Sequence, residues 1–239
     1  MKNLRKIAFI AVLSSIWVLS NSMTACQPLV QTPMAEAEVA RGLREALAIG
    51  AVNAVLATNK ENGFFENQAI RIPFPEEAAG ALQFMQNSAI LRPLLNDFVL
   101  RLNRAAEHAS AKAKPIFAEA INNITIMDAW QILRGGQTAA TTYLRNQTQT
   151  QLYEAFKPDV LSSLNEVGAQ RAWQELTTAY NAMAALNPRL TRVNTDLAGY
   201  ATTKALDGLF VMVAEEEAKI RRDPAARVTD LLRRVFAQQ

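Results

Sequence analysis

Acidic side chains interrupt the apolar stripe of one long predicted helix, residues 194–222, and carboxylates are the groups in this chain best suited to acid–base chemistry. Glu217 takes a heptad position in a stripe that is otherwise apolar: Leu206, Phe210, Val213 and Ile220. Asp207 follows Leu206, and Gly208 beside it leaves room for another backbone. An unpaired buried carboxylate is costly, so we expect a buried polar cluster with donors and cations. Its predicted members are Arg71, Asn103, Arg104, Glu107, Lys204, Asp207 and Glu217.

Three interpretations of this cluster remain open from spacing alone. Carboxylates with perturbed pKa values could supply acid–base chemistry, as in a hydrolase or lyase that uses Glu107, Asp207 or Glu217. The cluster could instead orient the head group of an apolar or amphipathic ligand. It could also be an ion-pair network that fixes helix register, with Arg222 as a further cation. We favour the network, because spacing shows no open pocket, and we assign no catalytic residue.

Residue counts argue against several other enzyme classes. His108 is the only histidine, and it follows Glu107 directly, so neither a zinc HExxH motif nor the paired spacing of di-iron proteins is present. The sequence contains no GxSxG, GxxxxGK or GxGxxG motif. Trp130 and Trp173 lack an interleaved basic stripe and are expected to be core anchors. We therefore expect no metal and no cofactor.

The charge distribution argues against a nucleic-acid partner. Lys and Arg number 25 and Asp and Glu 22, which gives a net charge of +3. Lys2, Arg5 and Lys6 account for this excess, and they lie in an N-terminal segment without acids. The rest of the chain is balanced, so it has no excess of the cations that drive phosphate binding.

The N-terminal segment has the pattern of an export signal. A basic start is followed by an apolar stretch from Ile7 to Leu19 and then by small and polar residues. As a helix this stretch would extend about 20 Å, short of the roughly 30 Å hydrocarbon core of a bilayer. The pattern therefore favours a cleaved leader over a retained membrane span.

Cys26 is the only cysteine, so the chain has no intramolecular disulfide. Thr24 and Ala25 just before it resemble the lipobox of bacterial lipoproteins, in which the cysteine is diacylated and becomes the mature N-terminus. Two acyl chains are sufficient for stable membrane attachment. The alternative is ordinary cleavage after Ser22, which would leave Cys26 as a free thiol.

These features predict the domain organisation. Residues 1–25 are expected to be a lipoprotein signal peptide, 26–34 a tether, and 35–239 one all-helical domain. By resemblance to lipoprotein sorting, Gln27 after the cysteine favours the periplasmic face of the outer membrane. The predicted partner is thus a membrane, contacted through N-terminal acyl chains.

Helix start and stop signals recur after residue 35, whereas strand signals are sparse. Helices are expected over 35–57, from Pro75, over 91–109, from the capping pair Thr125 and Asp128 to Gly135, over 138–186 with a break near Gly168, over 194–222, and from the Asp223-Pro224 start to about 236. The sequence predicts an all-α fold of about seven to nine helices in a single domain.

Six segments resemble one bacterial family, the domain of unknown function 4197 family of exported lipoproteins. They are GFFENQAIRIPFPE (63–76), LNRAAEHASAKAKPIF (102–117), ITIMDAWQILRGG (124–136), AATTYLRNQT (139–148), TKALDGLFVMVAEEEAKIRRDP (203–224) and LLRRVF (231–236). The resemblance implies an all-helical, exported and lipid-anchored protein, and it implies no catalytic residue or substrate.

Together these observations predict a non-enzymatic binding or scaffold protein of the cell envelope, whose partner is an envelope protein or a small apolar ligand. A carrier of an apolar or amphipathic ligand and a carboxylate-based hydrolase or lyase are the alternatives. The carrier and the enzyme each need a cavity beside the polar cluster, whereas the scaffold protein does not.

Overall fold

The computed structural model describes residues 34–79, 82, 86, 91–166, 168–186, 192–194 and 196–237. The expected signal peptide, Cys26 and nearly all of the expected tether lie outside these residues. The described part is all-α and contains no β-strand. Its helices are α1 (Glu36–Thr58), α2 (Leu91–Ser110), α3 (Ala113–Asn122), α4 (Ile126–Arg134), α5 (Ala139–Glu166), α6 (Ala169–Leu186), α7 (Leu197–Arg222) and α8 (Asp230–Phe236), with 3-10 turns at Glu76–Ala78 and Pro224–Ala226. The predicted fold class and number of helices are confirmed.

Helices α1 and α7 lie side by side in antiparallel directions. Asn53 Nδ2 donates to Glu216 Oε2 at 2.9 Å, and one turn earlier on α1, Gly50 packs against Ile220. Helix α5 is antiparallel to α7 on another side, so that its start lies beside the end of α7. The predicted apolar stripe Leu206, Phe210, Val213 and Ile220 is buried among these helices, and burial of such side chains is the main driving force for folding.

Local sequence signals set several helix ends. Thr125 Oγ1 accepts from the Asp128 backbone N–H at 3.1 Å, and Asp128 Oδ2 accepts from the Thr125 N–H at 3.0 Å. This reciprocal capping box confirms the predicted start of α4. Hydrogen bonds from the Thr125 hydroxyl and N–H lower the pKa of Asp128. Gly168, with φ of 70°, separates α5 from α6 at the predicted break.

The expected start of the last helix is wrong. Asp223 and Pro224 open only a 3-10 turn, and α8 begins after Thr229, whose hydroxyl accepts from the Leu232 N–H at 3.2 Å. The cause lies between them: Arg227 Nε donates to the Ile220 carbonyl at 3.0 Å and Nη2 to that of Arg221 at 2.9 Å, which turns the chain back onto the end of α7.

The N-terminus of α7 also differs slightly from its expected position. The helix was expected from residue 194 but begins at Leu197, with Asp196 as its N-cap residue, whose Oδ1 accepts from the Gly199 N–H at 2.8 Å. Asn194 lies just before it, where Oδ1 accepts from the Asp196 N–H at 2.9 Å. Both residue types cap helices well, so the sequence pattern could not separate them.

Candidate functional site

Glu107 on α2 is the centre of one buried polar network. Its side chain is 2% exposed. Oε1 accepts from the backbone N–H groups of Phe64 and Phe65 at 3.1 and 3.2 Å, and Oε2 accepts from Arg104 Nη1 at 2.6 Å. The second arm of the Arg104 guanidinium donates to Glu61 Oε1 at 3.0 Å and Asn62 Oδ1 at 2.7 Å. The carboxylate and its cation therefore hold the chain that follows α1.

Asn103, one turn earlier on α2, holds the next part of the same segment. Oδ1 accepts from the Ile72 N–H at 2.8 Å, and Nδ2 donates to the Ile72 carbonyl at 2.9 Å. Nδ2 also donates to the Val99 carbonyl at 2.8 Å. The amide is fully buried, so its donors and acceptor replace hydrogen bonds that the non-helical backbone would otherwise make with water.

Glu217 on α7 is the centre of a second, separate network. Oε1 accepts from the Ala140 N–H at 3.0 Å, and Oε2 accepts from the Thr141 N–H and hydroxyl, both at 2.8 Å. These N–H groups belong to the first turn of α5, where helix amides lack internal partners and favour a negative charge. The carboxylate thus caps α5 from a neighbouring helix.

Arg221, one turn after Glu217, joins this network to α4. Nε donates to Glu217 Oε1 at 2.9 Å, while Nη2 and Nη1 donate to the carbonyls of Ile132 and Leu133 at 2.7 and 3.2 Å. Those carbonyls lie in the last turn of α4, where a cation is favoured. The side chains of Glu217 and Arg221 are 5% and 6% exposed. Sequence reasoning missed Arg221, although its spacing of four residues from Glu217 was visible.

The structure divides the expected cluster and places three of its members at the surface. Asn103, Arg104 and Glu107 lie together, and Glu217 lies in the other network. Asp207 is 52% exposed and pairs with Arg145 at 3.1 Å, whereas Lys204 and Arg71 are exposed. The expectation that Asp207 is buried and paired with Lys204, Arg104, Arg71 or Arg222 is therefore wrong.

The partners of the expected cations are also different. The Arg71 guanidinium lies 4.4 Å from the centre of the Phe65 ring, and Arg222 donates to Gln137 Oε1. The positions around the helix explain the error. Asp207 shares its face with Val211, which is 39% exposed, so this face of α7 points to solvent and can carry charge without a buried partner.

Neither buried carboxylate lines the two larger recesses of the described part, which have volumes of about 240 and 290 Å³. The cleft beside Glu217 and Arg221 has a volume of about 20 Å³, enough for a single water molecule. A recess of about 240 Å³ between α2 and α5 includes Arg104 and the exposed His108, but Glu107 does not line it. Glu107 and Glu217 thus act as structural acceptors in this arrangement.

A groove that sequence reasoning missed lies at the start of α7 and has a volume of about 290 Å³. Its described lining residues come from α5, α6, α7 and the segment before the first 3-10 turn: Pro75, Tyr153, Trp173, Asn194, Asp196, Gly199, Tyr200, Thr203 and Lys204. The aromatic residues are far apart in sequence and have no shared period, so no local signal could have found them.

One ion pair at this groove is well defined. Lys157 Nζ donates to Asp196 Oδ2 at 2.8 Å. This hydrogen bond, followed by the one from the Gly199 N–H, lowers the pKa of Asp196. The bond to Asp196 is also the main cause that raises the pKa of Lys157. Asp196 is therefore an ionised, partnered carboxylate at neutral pH.

The chain matches a family model over most of its length. The family model described as "Protein of unknown function (DUF4197)" matches residues 33–237. The chain belongs to the DUF4197 family. No curated protein and no solved structure matches it.

In this DUF4197 chain, five of the six segments on which the family resemblance rests meet in the two buried networks. Segments 63–76 and 102–117 are joined by Glu107 and Asn103. Segments 124–136, 139–148 and 203–224 are joined by Glu217 and Arg221. The family description assigns no activity, and these contacts explain how the segments hold the fold together.

Metal sites and membrane-spanning helices were also searched for among the described residues of the DUF4197 chain, and neither is found there. No group of three or more His, Cys, Asp or Glu residues there is arranged to hold a metal ion. None of the described helices combines the length and apolarity needed to cross a membrane.

Proposed function

We propose that this DUF4197 protein is a lipid-anchored binding protein of the bacterial cell envelope that acts without catalysis. The observation that carries the proposal is the occupation of its buried carboxylates by the protein's own donors. Glu107 holds the segment after α1, and Glu217 caps α5. Acid–base chemistry needs a carboxylate that a substrate can reach. Glu217 lines a cleft of about 20 Å³, and neither Glu107 nor Glu217 lines the two larger recesses of the described part.

The anchored location is supported by the sequence around Cys26. The basic start, the apolar stretch up to Leu19 and the small residues before a lone cysteine form the pattern of a lipoprotein leader. Acylated Cys26 would hold the domain on the periplasmic face of the outer membrane. The first described helix begins at Glu36, so a short tether would connect the acyl chains to it.

A binding role is supported by the groove at the start of α7. It combines aromatic and charged side chains in a recess of about 290 Å³, and binding sites commonly combine apolar walls with a few polar groups. Binding of a small ligand in this groove would support the carrier alternative over a purely structural scaffold. The proposed function also includes binding to an envelope protein, for which we assign no surface.

Mass measurement and fractionation test the anchor. In cells that process lipoproteins, we expect wild-type protein in the outer-membrane fraction with a diacylated N-terminal Cys26. The Cys26→Ser variant is expected in the soluble periplasmic fraction. Ser22→Leu, which blocks ordinary cleavage after residue 22, is the matched control and should fractionate as wild type. An unmodified thiol, an intact leader or unchanged fractionation of Cys26→Ser would overturn the anchor.

Activity screening tests the non-catalytic role. We expect the purified full chain to show no turnover of ester, glycoside or peptide substrates above a blank. Turnover that disappears in Glu107→Gln or Glu217→Gln, with an unchanged circular dichroism spectrum, would contradict the proposal.

A further inference from the structure

Lys204 brings an ammonium group without an acidic partner to the groove. It is exposed and lines the groove, and its Nζ lies 5.9 Å from the centre of the Tyr200 ring. Asp207, about one turn further along α7, pairs with Arg145 instead. Within the described part of the chain, no carboxylate lies within ion-pair distance of Lys204. Among the described residues, the groove thus has a cation without a carboxylate partner.

Asp196 does not offset this charge. Its two oxygens are engaged by Lys157 Nζ and by the Gly199 N–H, both at 2.8 Å. A Cβ atom added at Gly199 would lie 2.5 Å from Asp196 Oδ2, so the close approach of this carboxylate depends on glycine. Since Asp196 is balanced by Lys157, the described lining of the groove has an excess positive charge at Lys204.

Aromatic rings form the walls beside this cation. Tyr153 and Tyr200 are half-buried, and Trp173 lies at the base. Trp173 is fixed by its packing against Phe74, with ring centres 5.5 Å apart, and by its Nε1–H, which donates to the Asn194 carbonyl at 3.3 Å. Because Trp173 is only 2% exposed, the rings that can contact a ligand are those of Tyr153 and Tyr200. The Tyr200 hydroxyl donates to the Pro73 carbonyl at 3.2 Å, which fixes this ring, and fixed aromatic rings bind flat apolar groups at low entropic cost.

The volume of the groove limits the size of the ligand. About 290 Å³ is close to the lower limit of roughly 300 Å³ for small-molecule sites. This space suits a molecule with a single ring, and it is too small for a lipid with two acyl chains.

We infer that the groove binds a small organic carboxylate with a flat apolar body, whose carboxylate pairs with Lys204 and whose body packs on Tyr153 and Tyr200. The inference deepens the proposed binding function and rests on it. An ammonium–carboxylate pair supplies orientation, while the rings supply most of the buried apolar area.

Titration of the full chain with defined probes tests the inference. The probes are phenylacetate, the uncharged phenylacetamide, the cationic phenethylamine and acetate, which lacks the ring. In a Trp17→Phe, Trp130→Phe background, Trp173 is the only indole, and its fluorescence reports occupancy. Calorimetry of the wild-type chain provides an independent measurement. We expect phenylacetate to bind at least about tenfold more tightly than the other three probes.

Lys204→Met removes the charge and keeps an unbranched side chain, and it is expected to weaken phenylacetate binding about tenfold without changing phenylacetamide binding. Lys114→Met, at an exposed lysine on α3 that does not line the groove, is the matched control and should bind as wild type. Equal affinity for phenylacetate and phenylacetamide, no binding of any probe by either method, or no effect of Lys204→Met would overturn the inference.

The two proposals can fail separately. Loss of the anchor in the Cys26 experiment leaves the titration unchanged, since the probes report only on the groove. A correctly anchored protein that binds none of the probes would remove the assigned ligand class and leave the location intact.

Discussion

Glu217 and Arg221 neutralise the end charges of two helices at once. The carboxylate accepts the free N–H groups at the start of α5, and the guanidinium donates to the last carbonyls of α4. A carboxylate is favoured at a helix N-terminus and a guanidinium at a helix C-terminus. The guanidinium of Arg221 and Oε1 of Glu217 also form a salt bridge at 2.9 Å. Removal of one member leaves a buried charge and several unpaired backbone groups.

Glu217→Ala is therefore expected to lower the free energy of unfolding by about 3 to 5 kcal/mol, because the buried Arg221 loses its counter-ion. Urea unfolding measures the change. Asp207→Ala is the matched control on the same helix, and loss of its exposed pair with Arg145 should cost less than about 1 kcal/mol. Equal effects of the two variants would contradict the structural role of Glu217.

At the scale of single residues, the sequence predicted burial correctly where an acid replaced a member of the apolar stripe. Glu217 is buried for that reason. Asp207 is only one residue from the stripe, and one residue turns a helix by about 100°, so it lies on the exposed face. The partners could not be predicted, because Ala140, Thr141 and Ile132 reach Glu217 and Arg221 only through tertiary packing.

At the scale of elements, the segment between α1 and the first 3-10 turn combines its own backbone turns with hydrogen bonds to side chains of α2. Asn103 and Glu107 supply them from α2, and Phe64 packs against α7 at Gly208. A Cβ atom added at Gly208 would lie 2.6 Å from Cε1 of Phe64 and 3.0 Å from Cβ of Ile70. Gly208 was expected to leave room for another backbone, but the atoms closest to it are side-chain atoms of Phe64 and Ile70.

Gly208→Ala should lower the free energy of unfolding by about 1 to 3 kcal/mol, because the fully buried Phe64 must move. Limited proteolysis within residues 59–75 should also become faster. Gly50→Ala in α1 is the control: its Cβ would meet Glu216 at an ordinary 3.5 Å, so a change between zero and about 1 kcal/mol in the stabilising direction is expected. Similar destabilisation by both variants would show that general loss of helix glycine, rather than contact with Phe64, is the cause.

Helix boundaries illustrate which elements a sequence can predict. The start of α4 follows from Thr125 and Asp128 alone, because the capping box is local. The start of α8 does not, because two N-cap signals, Asp223 and Thr229, compete. The choice between them depends on how Arg227 folds back onto α7.

For the described part as a whole, α8 closes the core over the first half of α1. Leu232, Val235 and Phe236 are buried, and Gly42 of α1 lies against Val235 and Leu231. The all-α class could be predicted from the periodicity and the caps, but this closure between the two ends of the domain could not. It depends on which apolar faces meet, and a single sequence does not specify that.

Truncation after Thr229 should destabilise the chain by about 5 kcal/mol or more, because three buried apolar side chains each contribute about 1.5 to 3 kcal/mol. The melting temperature should fall, and a dye that binds exposed apolar surface should bind at the uncovered face of α1. Truncation after Ala237 keeps α8 and serves as the control. A truncated chain that melts as the wild type does would show that α8 is dispensable.

Antiparallel packing of α1 and α7 separates the groove from the point at which the domain would be attached. About 30 Å of helix lies between Tyr200 and Ile220, and α1 continues about 20 Å further from Gly50 to Glu36. The groove therefore lies roughly 50 Å from the start of α1, at the opposite end of the pair formed by α1 and α7. A small ligand in the groove and a partner at the start of α1 could therefore be bound at the same time without contacting each other.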